Sequence, residues 1–239
     1  MKVTRFLASL LVLGAAATSA FAEGTVQINW DSCTGPINKA VTPGVVAQSA
    51  VSVINQTALA SGHQVFILVG QPGGLRDAWR FDPDGCQGST LITMDHLPPG
   101  TLSKACPAFQ GTLQSLQIKD YSYDPVTGKA RGVIADAYPS GQTTINPATR
   151  YFLAGWKFDQ TFGVNGPSDP GQTCGGLEFP TCIHITKASY ITFADGVEHD
   201  WIIGGEYITA NDAANSSNCP AATPAASTTW GKLKSTYHN

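Results

Sequence analysis

Charge is what this sequence has least of. Only 13% of its 239 residues are Asp, Glu, Lys or Arg, about half the usual share in soluble proteins. Fourteen basic residues face 17 acidic ones, which is not the balance of a nucleic-acid-binding surface. There is no Gly-x-Ser-x-Gly elbow, no His-Glu-x-x-His and no Cys-x-x-Cys. The chain therefore lacks the signatures of an α/β-hydrolase, a zinc protease and a structural zinc site. The five histidines, His63, His96, His184, His199 and His238, are scattered and read as ordinary strand or surface residues. "GQPGG" (70–74) lacks the Lys-Ser/Thr of a phosphate loop and reads as a turn. Beyond the first residues no run is apolar enough for a membrane helix.

Those first residues, "MKVTRFLASLLVLGAAATSAFA", read as a secretory signal. Lys2 and Arg5 precede an apolar core from Phe6 to Ala16, and Ala20-Phe21-Ala22 supplies the small residues of a cleavage site after Ala22. The expected organisation is a signal peptide at 1–22 and one domain over 23–239, in the periplasm or at the cell exterior. Cutting there removes two basic residues and no acid, leaving 12 basic and 17 acidic residues and a formal charge of −5.

Six cysteines remain: Cys33, Cys86, Cys106, Cys174, Cys182 and Cys219. An even number in a secreted chain implies three disulfides, with fifteen possible pairings. The short, Gly- and Pro-bent loop "CGGLEFPTC" pairs Cys174 with Cys182. Cys33 with Cys86 would staple the first strand to an acidic corner, and elimination leaves Cys106 with Cys219.

Short strand-like runs follow one another, punctuated by Gly, Pro, Asn and Asp. They include "TVQINW", "AVSVINQ", "HQVFILVG", "LRDAWRFD", "STLITMD", "LQSLQIKDYSY", "KARGVIADAY", "RYFLAGWKF", "CIHITKASYITF" and "VEHDWIIG". In "RYFLAGWKF", Phe152, Ala154, Trp156 and Phe158 alternate onto one apolar face, the period of a strand packed on a core. Two hairpins stand out, one around Asp124-Pro125-Val126-Thr127-Gly128 and one around Asp195-Gly196. The expected fold is all-β: an antiparallel β-sandwich, immunoglobulin/cohesin-like or jelly-roll-like, stapled by disulfides. Helix is expected only in the tail. There Thr228 or Thr229 would cap a short helix whose Trp230, Leu233 and Tyr237 share one face. This segment, about 220–239, is expected to dock on the sandwich.

Trp30-Asp31-Ser32-Cys33, Ala78-Trp79-Arg80-Phe81 and Gly85-Cys86 resemble a pattern in secreted bacterial β-sandwich proteins, a group that brings no known activity or catalytic residue. Tyr123-Asp124-Pro125 at a strand end is similar to a turn in cohesin-type sandwiches and supports the same fold class.

The stretch "DAWRFDPDGCQG" (77–88) raises the question of a metal. Asp82 and Asp84 are candidate calcium ligands, but calcium takes six to eight oxygens and the EF-hand pattern is absent. The complete alternative is a turn, with Asp82 at its start, Pro83 second and Gly85 at its end, pinned by Cys86. Candidate glycosidase carboxylates are Asp77, Asp82, Asp120, Asp136, Glu178, Glu198 and Glu206, with no spacing that reveals a facing pair. Trp30, Trp79, Trp156 and Trp201 could stack on a sugar, but each lies in an apolar pattern where core packing is the default. No catalytic residue, cofactor or metal is assigned. The reading is a secreted or cell-surface, non-enzymatic binding or structural domain for a protein or glycan ligand. The alternative is a glycan-active hydrolase or carbohydrate-binding module.

Overall fold

The computed structural model describes residues 24–87, 94–95, 106–111, 116–139, 145–166 and 174–211. The signal segment, Cys219 and the tail helix expected around Trp230 lie outside these residues, as do His96 and His238.

Among the described residues, twelve strands form two stacked sheets. Sheet one runs β11(Ile202–Gly205)-β1(Thr25–Trp30)-β3(Val46–Ile54)-β8(Tyr151–Asp159)-β5(Met94–Asp95). Sheet two runs β2(Asn38–Lys39)-β12(Tyr207–Ala210)-β9(Thr181–Thr192)-β4(Ala60–Gly70)-β7(Lys129–Ala137)-β6(Leu116–Asp124), with β10(Glu198–Asp200) also paired to β9. The architecture is the expected β-sandwich. It departs from pure antiparallel pairing at two edges, where β1–β11 and β12–β2 run parallel. Both expected hairpins form. Gly128 and Gly196 take positive φ, 63° and 67°, where a Cβ would be strained. "VEHDWIIG" is not one strand: the chain leaves sheet two after β10 and joins sheet one as β11, with Trp201 buried at the crossing.

The core lies between the sheets and is dominated by aromatic rings. Trp156 of β8 packs against Gly132 of β7 so closely that a Cβ at 132 would lie 2.0 Å from the indole. A glycine inside a strand commonly marks such an approach. Phe81, Phe158 and Tyr121 stand around the same indole at 5.8, 5.8 and 6.5 Å between ring centres. Trp30, Trp79, Trp156 and Trp201 are all buried, so none is a surface platform for a sugar.

Residues 75–81 are not a strand. Asp77–Trp79 is a single 3-10 turn, with Ala78 and Trp79 both buried. The alternation read from sequence came from a loop that drops large side chains into the open end of the sandwich. In β8 a bulge opposite Val51/Ser52 turns Phe152 out of the core. It packs instead with Cys33, Cys106 and Ala50 on the outer face of sheet one.

The disulfides differ from all three expected pairs. The bonds are Cys33–Cys106 and Cys86–Cys174, and Cys182 is disulfide-bonded too. Proximity in sequence favoured Cys174–Cys182, but side-chain direction decides. Cys182 sits in β9 between Thr181 and Ile183, and Ile183 faces the core, so Cys182 points to the outer side of sheet two. Cys174 instead lies beside Gly163 in the end loops. Cys33 lies over the outer face of sheet one beside Cys106, away from the acidic corner that holds Cys86. Cys106 is thereby used, and cannot take Cys219.

Gly132→Ala is expected to destabilise the fold by roughly 1–3 kcal/mol, the usual cost of overpacking a filled core. Chemical denaturation of the variant and of a neighbouring control such as Arg131→Ala, which is exposed, measures it.

Candidate functional site

One end of the sandwich is built from loops. There β1, β4, β8 and β12 end and β3, β7 and β9 begin, and segments 31–45, 71–87, 160–166 and 174–180 run across the opening. Trp79 and Phe81 enter from above and meet Phe158 at 5.2 and 5.4 Å. Their burial pulls loop backbone out of water, and buried carbonyls and amides must find partners.

Side-chain amides supply most of those partners. Gln71 Nε2 donates to the Phe179 carbonyl (3.2 Å) and to Thr181 Oγ1 (2.5 Å), while its Oε1 accepts from the Arg76 amide (2.6 Å). Gln87 donates to the Ala78 and Asp159 carbonyls and accepts from the Asp159 amide. Gln160 also donates to the Ala78 carbonyl. Asn211 donates to Leu177 O and accepts from Val41 N. Cys86–Cys174 links two of the loops covalently. None of these glutamines stood out in the sequence, because a Gln in a loop has no pattern that reveals burial.

Three adjoining hollows cross this end. One of about 530 Å³ is lined by 38–43, Asn165, Glu178 and Asn211. A second, about 420 Å³, lies between Leu75–Asp77 and Gly176–Phe179 and shares Glu178. A third, about 580 Å³, lies between Gln71–Arg76 and Tyr123–Lys129 and shares Arg76. Large apolar side chains stand exposed around them: Ile37, Val45, Val46, Val126, Phe162 and Phe179. Phe162 is 73% and Val126 92% exposed. Only three further large hydrophobic residues among those described are this exposed: Phe193, Val197 and Ile202. All four described tryptophans meanwhile lie in the core.

Charges near the hollows are already committed. Arg80 bridges two carboxylates, donating to Asp77 at 2.9 Å and to both oxygens of Asp82, and its guanidinium stands 4.0 Å from the Tyr123 ring centre. Its hydrogen bond to Asp82 raises its pKa further. Asp84 is exposed on the same turn, where Gly85 N donates to Asp82 O at 2.8 Å. Arg76 lies over the Phe179 ring at 5.0 Å.

The remaining candidate carboxylates are dispersed. Asp120 is exposed on β6, and Glu178 and Glu206 are exposed in loops. Glu198 is paired with Lys187 at 2.7 Å. Asp136 is buried on the inner face of β7 opposite His63 of β4, and the two side chains approach to 3.9 Å. His63 Nδ1 lies 2.6 Å from the Tyr138 hydroxyl, and its ring is bordered by Phe109 and Trp201. This Asp–His–Tyr cluster is the arrangement nearest to acid–base machinery among the described residues. Both His63 and Asp136 have fully buried side chains, so a substrate has no approach to either in this conformation. His184 is also mostly buried, and burial lowers its pKa. His199 is held by Asp195 at 3.1 Å.

No protein-family model matches the chain, and no curated protein matches it significantly. Solved structures that it resembles are cohesin modules. One is a cohesin module from a Clostridium perfringens family 33 glycoside hydrolase, with a TM-score of 0.38 and 12% identity, over 80% of this chain and 98% of that one. Another is a type II cohesin domain from the Acetivibrio cellulolyticus cellulosome, with a TM-score of 0.40 and 12% identity, over 79% and 95%. A third is a non-cellulosomal cohesin from Archaeoglobus fulgidus, with a TM-score of 0.34 and 12% identity, over 78% and 89%.

Burial pushes the Tyr121 phenol up to about 12, and burial together with the Asp136 charge raises Tyr138 as well. A phenol raised above its unfolded value near 10 favours the fold in its neutral form. That contribution is intact below pH 10 and is lost as pH climbs from 10 toward 12. A phenolate absorbance titration should show a fraction of the tyrosines, Tyr121 and Tyr138 among them, that ionises only with unfolding. Full ionisation near pH 10 in a folded protein would contradict their burial.

Proposed function

We propose that this chain is an extracytoplasmic, non-enzymatic recognition domain that binds a protein partner through the loop-built end of its sandwich. One observation carries the reading. Exposed Ile, Val and Phe side chains collect around hollows at one end, on loops held by a disulfide and buried amides. Exposed apolar groups gathered on a rigid support are what a protein interface uses, and pre-formed loops lower the ordering cost of binding. Arg80, Asp77 and Asp82 at this end are tied to one another. The disulfides and the apolar N-terminal segment support an oxidising compartment outside the cytoplasm.

A photo-crosslinking residue at Phe162 or Val126 should capture one protein from the native surroundings, and the same residue at Val197 at the far end should not. Equal capture from both ends would remove the assignment. Turnover of a polysaccharide, ester or peptide that disappears in a folded carboxylate, Ser or His variant would overturn the non-enzymatic reading.

We also propose that the Asp82–Cys86 corner is structural, with Arg80 serving Asp82 as counter-ion. Millimolar calcium or a chelator should leave Tm unchanged, because a ligand specific to the folded state must raise it. A calcium-dependent rise that Asp82→Asn/Asp84→Asn abolishes would make the corner a metal site.

A further inference from the structure

The three hollows at the loop end lie in a row, and the strand register of sheet two fixes its direction. Lys39, Ala210, Cys182, Gly70, Lys129 and Asp124 stand within one residue of a line across that end. The hollow lined by 38–43 and Asn211 adjoins β2 and β12. The one between Leu75–Asp77 and Gly176–Phe179 adjoins the start of β9 and the loop after β4. The one between Gln71–Arg76 and Tyr123–Lys129 adjoins β4, β7 and β6. The hollows therefore follow the order of the strands, and β2 to β6 is five strand intervals. At the usual spacing that is about 24 Å, which an extended chain covers in about seven residues.

The walls between the hollows carry one charge of each sign. Glu178 lines the first and second hollows, and Arg76 the second and third. Both are exposed, and both are held in place. Glu178 Oε1 accepts a hydrogen bond from the Gly166 amide at 2.8 Å, and the Arg76 guanidinium rests on the Phe179 ring at 5.0 Å. Leu75 and Phe179 give the middle hollow an apolar lining. Gly166 and Gly176 also line it, and Gly73 and Gly74 line the third. A wall without side chains lets another backbone come close. Side chains two residues apart in an extended segment point the same way, about 7 Å apart. A basic, an apolar and an acidic residue so spaced would meet Glu178, the middle hollow and Arg76 in turn.

We propose that the row is a groove for one extended segment of a protein partner, with a basic, an apolar and an acidic residue in that order along the groove. The apolar side chain fills the middle hollow, the basic one faces Glu178 and the acidic one faces Arg76. Complementary charges set the direction and register of the segment and penalise its reverse. The segment adds no strand to either sheet; it lies across the strand ends. The inference rests on the loop end being a protein interface, and it names what that interface receives.

A phage-displayed library of random heptapeptides, selected on the full secreted chain, is the probe. Enriched sequences should carry the basic–apolar–acidic order. A synthetic peptide of the enriched sequence should bind Glu178→Lys or Arg76→Glu roughly tenfold more weakly, because like charges then meet. The same peptide with its two charges exchanged should bind Glu178→Lys/Arg76→Glu as tightly as the original pair bind. Asp120→Lys, exposed on β6, should leave binding unchanged. If a reversal prevents folding, Glu178→Gln, which keeps an acceptor for the Gly166 amide, and Arg76→Gln take its place, each with a loss of about threefold. Peptides indifferent to both charge changes would overturn the groove. A library that yields no binder would overturn it too, and if crosslinking from Phe162 or Val126 still captures a protein, the interface stands without the groove.

Discussion

Trp156 against Gly132 is the contact on which the rest of the structure depends. It brings β8 of one sheet within van der Waals range of β7 of the other, and the indole occupies the space a side chain at 132 would need. Phe81, Phe158 and Tyr121 then fill in around that ring. Deleting an aromatic residue from such a core typically costs about 3–5 kcal/mol, so no part of this cluster is decorative. Two twisted sheets held this way still diverge at their ends. At one end the gap is filled by Trp79 and Phe81, residues of a loop.

That plug explains the polar chemistry around it. Seating Trp79 draws part of the 71–87 backbone inward, where carbonyls such as that of Ala78 lose water. Gln71, Gln87 and Gln160 replace that water, and Ala78 O accepts from two of them. The result is a loop surface with little freedom, whose Phe162, Val45 and Val46 remain in solvent. The core is filled without them, so folding does not depend on their burial.

The same logic accounts for His63, Asp136 and Tyr138. They combine groups used in acid–base catalysis, but they lie beneath Phe109 and Trp201 between the sheets. Titratable groups must meet a substrate to act on it, and these meet one another. Among them, the Tyr138 hydroxyl and His63 Nδ1 satisfy each other inside the core.

Much of this was legible in the sequence because it is local. Alternation identified β1, β3, β4, β7, β8 and β9, and Asp-Pro-Val-Thr-Gly and Asp-Gly marked the two hairpins, since a turn's φ requirements are met by the residues within it. The burial of Trp30, Trp79, Trp156 and Trp201 followed from their apolar surroundings. What failed depended on distant partners. Residues 75–81 mimicked a strand, because alternating large side chains look the same in a strand and in a plug. Phe152 left its expected face through one bulged residue. Cysteine pairing depends on which way each side chain points, and Cys182 and Cys174 point apart although eight positions separate them. The sequence by itself determined strand content, turn positions and the apolar character of the interior, because these are set by neighbours along the chain. Only the tertiary structure decided the disulfide partners, the buried glutamines and the collection of exposed Phe and Val at one end, because these arise from residues that meet across the gap between two sheets.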